Sequence, residues 1–496
     1  MALTVGTDRL GLATLRRLPV ECRPLLRPGT VPAGIVHLGL GAFHRAHQAV
    51  HTEAAVGAAG GDWGIIGVAP RSTAVVEALA AQDALFSVTT LAADGATTRV
   101  VGALAGVRHA ASDPAAVVGL LADPAIRVVT LTVTEKAYQL DPVTGELRAD
   151  PELVADLTTD RSPRTVPGLL IRGLLARAAA DAGPVALVSC DNLPANGRRL
   201  RGLVTQALAL GRVPDGPTGW VEAQVGFPGT MVDRIVPAST TETLDTARRA
   251  LGVTDLAAVA AEPYTQWVIE DDFPAGRPAW ERAGATLTDD AGPWERLKLR
   301  ALNGVHSATA YLGALAGAET VAEALALPHL ATVLRRLVTE DIAPSFTPPP
   351  GVSVSDYGEE VLARFANPAI RHRTLQIAMD GSQKLPQRVL HTIADLRAAG
   401  RSARWGALVV AAWLRFLLGY ADDGRPLPLD DPLAGRIRAA LAAGRDTPAG
   451  VVDALFALRE VFPAELAADD EVRADVVGWL TALERHGVGA TLAGAG

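Results

Sequence analysis

The chain has 496 residues, 49% of them hydrophobic and 20% charged, with a formal net charge of -8. That length suggests two or three domains, and the apolar content argues against a disordered chain. The mild acidic balance excludes a nucleic-acid grip, which needs a concentrated basic face; with only Cys22 and Cys190, a disulfide framework or four-cysteine zinc site is excluded too.

The N-terminus lacks a basic stretch followed by an apolar one, so no signal peptide is expected and a cytoplasmic location is. Residues 35–40 read as a strand, with Gly39 and Gly41 closing its apolar run and a helix over 42–57. A second strand is expected over 63–68, helical text over 73–82, and further strands over 128–133 and 185–189. Strands alternating with helices predict a parallel sheet with crossover helices. From about residue 293 the text becomes almost wholly helical, with breaks at 344–351 and 424–432. Two domains follow: an α/β domain over 1–290 and a mostly α-helical domain over 291–496. The longest apolar stretch, 407–420, is interrupted by Arg415. It is shorter than the roughly 20 residues a bilayer requires, so it reads as a core helix and no membrane partner is expected.

The segment Gly39-Leu40-Gly41-Ala42-Phe43-His44 falls at the first strand-to-helix turn. A dinucleotide fold needs glycine there, for a tight turn and for close approach of the pyrophosphate. His44 stands where GxGxxG has its third glycine, so the motif is a degenerate variant. Gly39, Gly41 and Phe43 are candidate cofactor contacts. At the end of the second strand the usual acid is missing, and the chain reads Gly67-Val68-Ala69-Pro70-Arg71-Ser72. An acid would bind the ribose hydroxyls and repel a 2′-phosphate; Arg71 with Ser72 tolerates that phosphate. The expected cofactor is NAD, with NADP permitted. Lys136, at the end of an inner strand, is placed near the cofactor, where open α/β sheets bind ligands. His44, His47 and His51 fall at spacings of three and four and share one face of a helix, which is metal-ligand geometry. No carboxylate or thiolate pattern completes a zinc site, however, and the rings are read as lining the helix beside the cofactor, with no metal assigned.

Of the 46 basic residues only Lys136, Lys298 and Lys384 are lysine. Lysine differs from arginine in that its pKa can be tuned into the working range. Lys298 lies in Pro293-Trp-Glu295-Arg-Leu-Lys298-Leu-Arg-Ala-Leu-Asn303-Gly-Val-His306, read as one helix opened by its proline. At about 100° per residue, Lys298, Asn303 and His306 occupy one side. A proton-transferring lysine beside two neutral donors suits interconversion of an alcohol and a ketone.

The segments GLGAFHRAHQA (39–49), TVTEKAY (132–138), SCDNLPANG (189–197), FPGTMVDRI (227–235), QWVIEDDF (266–273), ERLKLRALNGVHS (295–307) and DGSQKLPQR (380–388) resemble the polyol-specific long-chain dehydrogenases, the mannitol dehydrogenase family. The resemblance implies a Rossmann-type N-terminal domain, a helical C-terminal domain and metal-independent, NAD-linked chemistry. It implies Lys298 as catalytic lysine, Asn303 and His306 as oxyanion partners, and Glu295 as a gate for proton exchange with solvent. Asn192, Asp233 and Lys384 match positions that hold substrate. Gln376 stands where mannitol-type members carry a substrate-binding arginine, and residues 372–388 look more like the fructuronate reductase branch. There Arg373 is expected to clamp a carboxylate. The expected reaction is interconversion of D-mannonate and D-fructuronate. Oxidation of an uncharged polyol such as mannitol or arabinitol stays open, and the intact Lys, Asn and His argue against a non-catalytic sensor on the same fold.

Overall fold

Near-continuous apolar runs in the first half of the chain form inner strands of a parallel sheet, where both faces are covered. The computed structural model describes residues 8–141, 144–444 and 446–495. The chain divides into two compact units, Met1–Ala291 and Gly292–Gly496.

In the first unit, six strands form the main sheet: β1 Ala33–Leu38, β2 Gly64–Ala69, β3 Leu104–His109, β4 Val128–Leu131, β5 Val185–Ser189 and β6 Val225–Gly226. All pair in parallel, in the order β3-β2-β1-β4-β5-β6. Side chains alternate between faces with period two. Ile35, Ile65, Val128 and Val188 enter a core with the helix Gln48–Ala59, whereas Val36, Ile66, Val129 and Leu187 enter another with the helices Val166–Ala179 and Asn196–Leu210. The order reverses at β1, so the carboxyl ends of β1 and β4 flank the switch point at which open α/β sheets bind ligands.

Two smaller three-stranded sheets complete this unit. One contains the antiparallel pair Phe86–Ala92 and Gly95–Val101, which the strand–helix alternation does not anticipate. In the other, Thr230–Asp233 runs antiparallel to Gln266–Glu270.

The helix expected over 42–57 is two helices, Ala42–Ala46 and Gln48–Ala59, broken at His47, whose φ of -126° and ψ of -84° lie outside the helical region. His44, His47 and His51 therefore do not share one continuous helical face.

The second unit is helical. Arg404–Leu417 forms its buried core helix, and the charge of Arg415 is accommodated there by donation to the Tyr420 carbonyl at 2.7 Å and by the Tyr420 ring. Among the described residues, three stretches have π geometry, Lys298–Gly304, Leu337–Ile342 and Pro386–Leu390. No helix among the described residues is long and apolar enough to cross a membrane.

Candidate active site

Gly39 ends β1 at φ +105°, and a Cβ there would meet the Thr132 carbonyl oxygen at 2.0 Å. Both facts demand glycine. Gly41 differs: its φ is -83°, and a Cβ would find no protein atom nearer than 3.8 Å. The protein itself leaves room at Gly41, as a turn does when a ligand is to approach the backbone. The turn opens Ala42–Ala46, whose first N–H groups lack intrahelical acceptors.

A cavity of about 700 Å³ spreads from this turn across the ends of β1, β2 and β4. Arg71, Lys136, Arg148 and Arg164 line it, with Asp150 the single carboxylate among its lining residues. This charge balance and the gap at Gly41 fit a pyrophosphate-bearing dinucleotide. At the tip of β2 the wall is Ala69, Pro70, Arg71 and Ser72, with no acid. Phe43 is not part of the lining; its ring stacks on His47 with centroids 5.0 Å apart.

His44, in place of a third glycine, lies flat on His37 of β1, with ring centroids 3.4 Å apart and planes 13° from parallel. His37 Nδ1 is 2.7 Å from Thr130 Oγ1, and its Nε2 is 3.0 Å from the Gly39 carbonyl and 2.9 Å from Thr132 Oγ1. Burial pushes His37 down to about 3 and holds His44 well below the usual histidine range. His47 Nε2 meets the Gln266 carbonyl at 2.9 Å; His51 meets the Ala283 carbonyl at 3.1 Å and Thr265 Oγ1 at 3.0 Å. His47 Nε2 and both nitrogens of His51 are thus turned to structural partners, whereas both nitrogens of the buried His44 lack a hydrogen-bond partner and its ring is held by the stack on His37. No metal-binding cluster occurs among the described residues.

The cavity wall at 132–137 is fixed by Asp191, which sequence reasoning passed over. Its carboxylate accepts from the N–H of Val133 at 2.9 Å, the N–H of Thr134 at 3.1 Å and the Tyr138 hydroxyl at 2.8 Å. Asn196 of the same motif joins it to Thr230, whose N–H its Oδ1 accepts at 2.9 Å. Asn192, between them, is exposed, and Asp233 ends its strand buried at 5% exposure.

In the second unit, Glu295 lies in the last turn of Gly292–Leu297, and Lys298 starts the π segment. The i→i+5 bonding of a π turn stacks residues five apart, the separation of Lys298 and Asn303. This replaces the 100° count expected from an ordinary α-helix and brings the two closer to one line. Leu302 enters the core behind them, while Leu299 is only partly buried. A Cβ on Gly304 would meet the Arg388 carbonyl oxygen at 2.8 Å, so the π segments Lys298–Gly304 and Pro386–Leu390 touch there.

His306 is 8% exposed and packs against Phe365 at 4.6 Å and edge-on to His372 at 4.8 Å. Its Nε2 has no hydrogen-bond partner. Burial, followed by the charges of His372, Arg388, Arg364 and Lys384, holds His306 well below the usual histidine range, so it is neutral near pH 7. The Lys384 ammonium donates to the carbonyls of Met379 at 2.6 Å and Ile377 at 3.3 Å. Burial lowers its pKa, with Arg388 adding to the effect. Arg373 and Gln376 are both exposed. Arg373 pairs its backbone with Thr320 and caps the helix Thr374–Ala378, while His372, one residue earlier, takes the place beside His306. Besides His372, the basic side chains with the largest effect on His306 are Arg388, Arg364 and Lys384.

A parallel sheet of this order with a glycine turn at its switch point, joined to a helical unit bearing Lys298, Asn303 and His306, is the make-up of a Rossmann-type dehydrogenase. The chain belongs to the mannitol dehydrogenase family: its Rossmann domain matches residues 33–282 and its C-terminal domain residues 290–484. It is 43% identical to "Uncharacterized oxidoreductase YeiQ" of Escherichia coli strain K12, over 87% of this chain and 88% of that one. It is 38% identical to the "D-mannonate oxidoreductase" of the same organism, over 94% and 95%. The solved Pseudomonas fluorescens mannitol 2-dehydrogenase, a ternary complex with NAD and D-mannitol, matches with a TM-score of 0.84 at 36% identity, covering 98% of this chain and 99% of that one. The protein is an oxidoreductase of this family, acting on CH–OH groups.

Proposed function

We propose that the protein is an NAD(H)-dependent oxidoreductase that interconverts D-mannonate and D-fructuronate without a metal. The observation that carries the chemistry is the π turn bearing Lys298 and Asn303, followed by His306 with an unpartnered, buried Nε2. When bound, NAD(H) would supply hydride to the ketone carbon or accept it from the alcohol. In reduction, Lys298 as ammonium gives one proton to the oxygen, and the products are the alcohol, oxidised nicotinamide and a neutral Lys298 amine. Asn303 and His306 donate hydrogen bonds to that oxygen as negative charge builds. His306, being neutral, serves as a donor and leaves proton transfer to Lys298. Glu295, in the helix Gly292–Leu297 just before Lys298, returns a proton to the amine in this reading. Asn192, Asp233 and Lys384 hold substrate hydroxyls. Gly39, Gly41, Arg71 and Lys136 hold the cofactor.

The sugar-acid assignment is supported by Gln376, at a position where the resemblance implies arginine in mannitol-type members, and by the positive groups around His306. Similarity to the mannitol 2-dehydrogenase structure favours a second reading, an uncharged polyol and its ketose. NADH oxidation with fructuronate and with fructose, each repeated with NADPH, separates the two. A much higher kcat/KM for fructuronate is expected; preference for fructose refutes the sugar-acid assignment.

A further inference from the structure

Buried arginines in this protein are generally well satisfied. Arg177 donates to five backbone carbonyls, including Gly183 at 2.7 Å and Asp123 at 2.9 Å. Arg300 bonds Ser345 at 2.8 Å and pairs with Asp395. Arg388 is different. A guanidinium carries five N–H donors, and among the described contacts Arg388 uses one, donating from Nη1 to Ser307 Oγ at 3.1 Å. Arg388 forms no ion pair with a carboxylate among the described residues. The side chain is only partly buried, and its Nε and Nη2 have no partner among the described contacts.

The position of this side chain is set twice. Ser307 follows His306 directly, and the Arg388 carbonyl is packed against Gly304 of the π segment that holds Lys298 and Asn303. A partly buried cation with open donors is costly to leave unmatched, and a planar fork of this kind suits a carboxylate with two parallel hydrogen bonds. The nearby Asp380, Asp430 and Asp431 act on Lys384, not on Arg388.

We infer that Arg388 is the anion-binding group of the substrate site, taking the carboxylate of a sugar acid whose carbonyl oxygen is held by His306. This inference rests on the sugar-acid reading above and assigns to Arg388 the role that the sequence suggested for Arg373.

The test compares kcat/KM for fructuronate and fructose with NADH in wild type, Arg388→Gln and Arg373→Ala, with thermal melting and NADH titration to verify folding. Loss of a charge-assisted, two-pronged contact should lower the fructuronate-to-fructose ratio about 30-fold or more in Arg388→Gln, while Arg373→Ala keeps the ratio of wild type. A ratio in Arg388→Gln within about threefold of wild type overturns the inference, including when both activities fall together, as a merely structural role would require. If Arg388→Gln does not fold, Arg388→Lys carries the test: it keeps the charge but loses the fork, and a ratio lowered less than about fivefold is then the overturning result. Wild-type preference for fructose refutes the sugar-acid reading itself. Wild-type preference for fructuronate with an unchanged ratio in the variant refutes the Arg388 assignment alone.

Discussion

The carboxylate of Asp191 accepts the backbone N–H of Thr134 at 3.1 Å, and Thr134 sits at φ +71°, ψ 155°. That region is open essentially to glycine and costs on the order of 1–3 kcal/mol for a residue with a side chain. The same carboxylate also holds Val133 and Tyr138, so the strained turn is fixed from three sides. Thr132, Thr134 and Lys136 form the cavity wall on this turn. Backbone strain is therefore held where the cofactor is expected to lie.

Asp191→Ala should release the turn. We expect NADH affinity, read by fluorescence titration, to fall about tenfold or more as the wall loses its preorganisation. Asp191→Asn keeps one acceptor oxygen and should fall between the two. An NADH Kd equal to that of wild type in a folded Asp191→Ala protein would show that the strained turn does not shape the cofactor site.

Lys298→Ala should lower kcat by about 10²–10⁴, the usual range for general acid–base catalysis, with NADH binding retained because the cavity lies in the other unit. Turnover near wild type would remove Lys298 from the proton-transfer role.

Gly304→Ala tests the π geometry without touching a reacting group. The added methyl would sit 2.8 Å from the backbone oxygen of Arg388, which cannot swing away as a side-chain tip would. Overpacking of this kind costs about 1–3 kcal/mol. A fall in Tm with a loss of kcat is expected. Unchanged activity would mean that contact between the two π segments does not position Lys298 and Asn303.

The limits of the sequence reading trace to identifiable physics. Glycines and apolar runs set the Rossmann sheet, because a parallel sheet demands them locally, and the scarcity of lysine drew attention to Lys298. The π turn was not legible, since an i→i+5 helix has no distinct sequence period and is imposed by tertiary packing such as that at Gly304. The hairpin of Phe86–Ala92 and Gly95–Val101 turns at Ala93-Asp94, between two runs rich in β-branched residues. Asp191 and Asn196 were quoted within a motif, but their bonds to Thr134 and Thr230 join segments tens of residues apart, which spacing alone cannot reveal. Arg373 has the side-chain type for a carboxylate clamp, but sequence alone does not show that its side chain is exposed while the neighbouring His372 ring packs on His306.

The buried histidines of the first unit predict acid lability. His37 is lowered to about 3 and His51 to about 4, with His44 lowered as well, each chiefly by burial. Unfolded histidines bind protons below about pH 6.5, and the folded chain refuses them until far lower pH. Stability is therefore full above 6.5 and declines as pH falls through the window from 6.5 toward 3, by about 1.4 kcal/mol per histidine at about pH 5.5. Tm measured at about pH 7.5 and 5.5 should show a clear drop, reduced in His44→Phe, which keeps a flat ring on His37 but cannot titrate. An equal drop in both proteins would place the acid sensitivity elsewhere.

Cofactor choice should follow from the tip of β2. A carboxylate there would bind the ribose hydroxyls and repel a 2′-phosphate. The chain instead presents exposed Arg71 and Ser72 to the cavity, with no acid among the residues lining that end. A guanidinium and a hydroxyl are able to donate to phosphate oxygens. We therefore expect NADPH to support turnover with kcat/KM within about tenfold of NADH. Ser72→Asp should restore the repulsion and cut NADPH use by about tenfold or more while NADH use is kept. Arg71→Ala should weaken NADPH more than NADH. Rejection of NADPH by wild type would mean that the cavity excludes the 2′-phosphate by shape, since no charge at the tip of β2 opposes it.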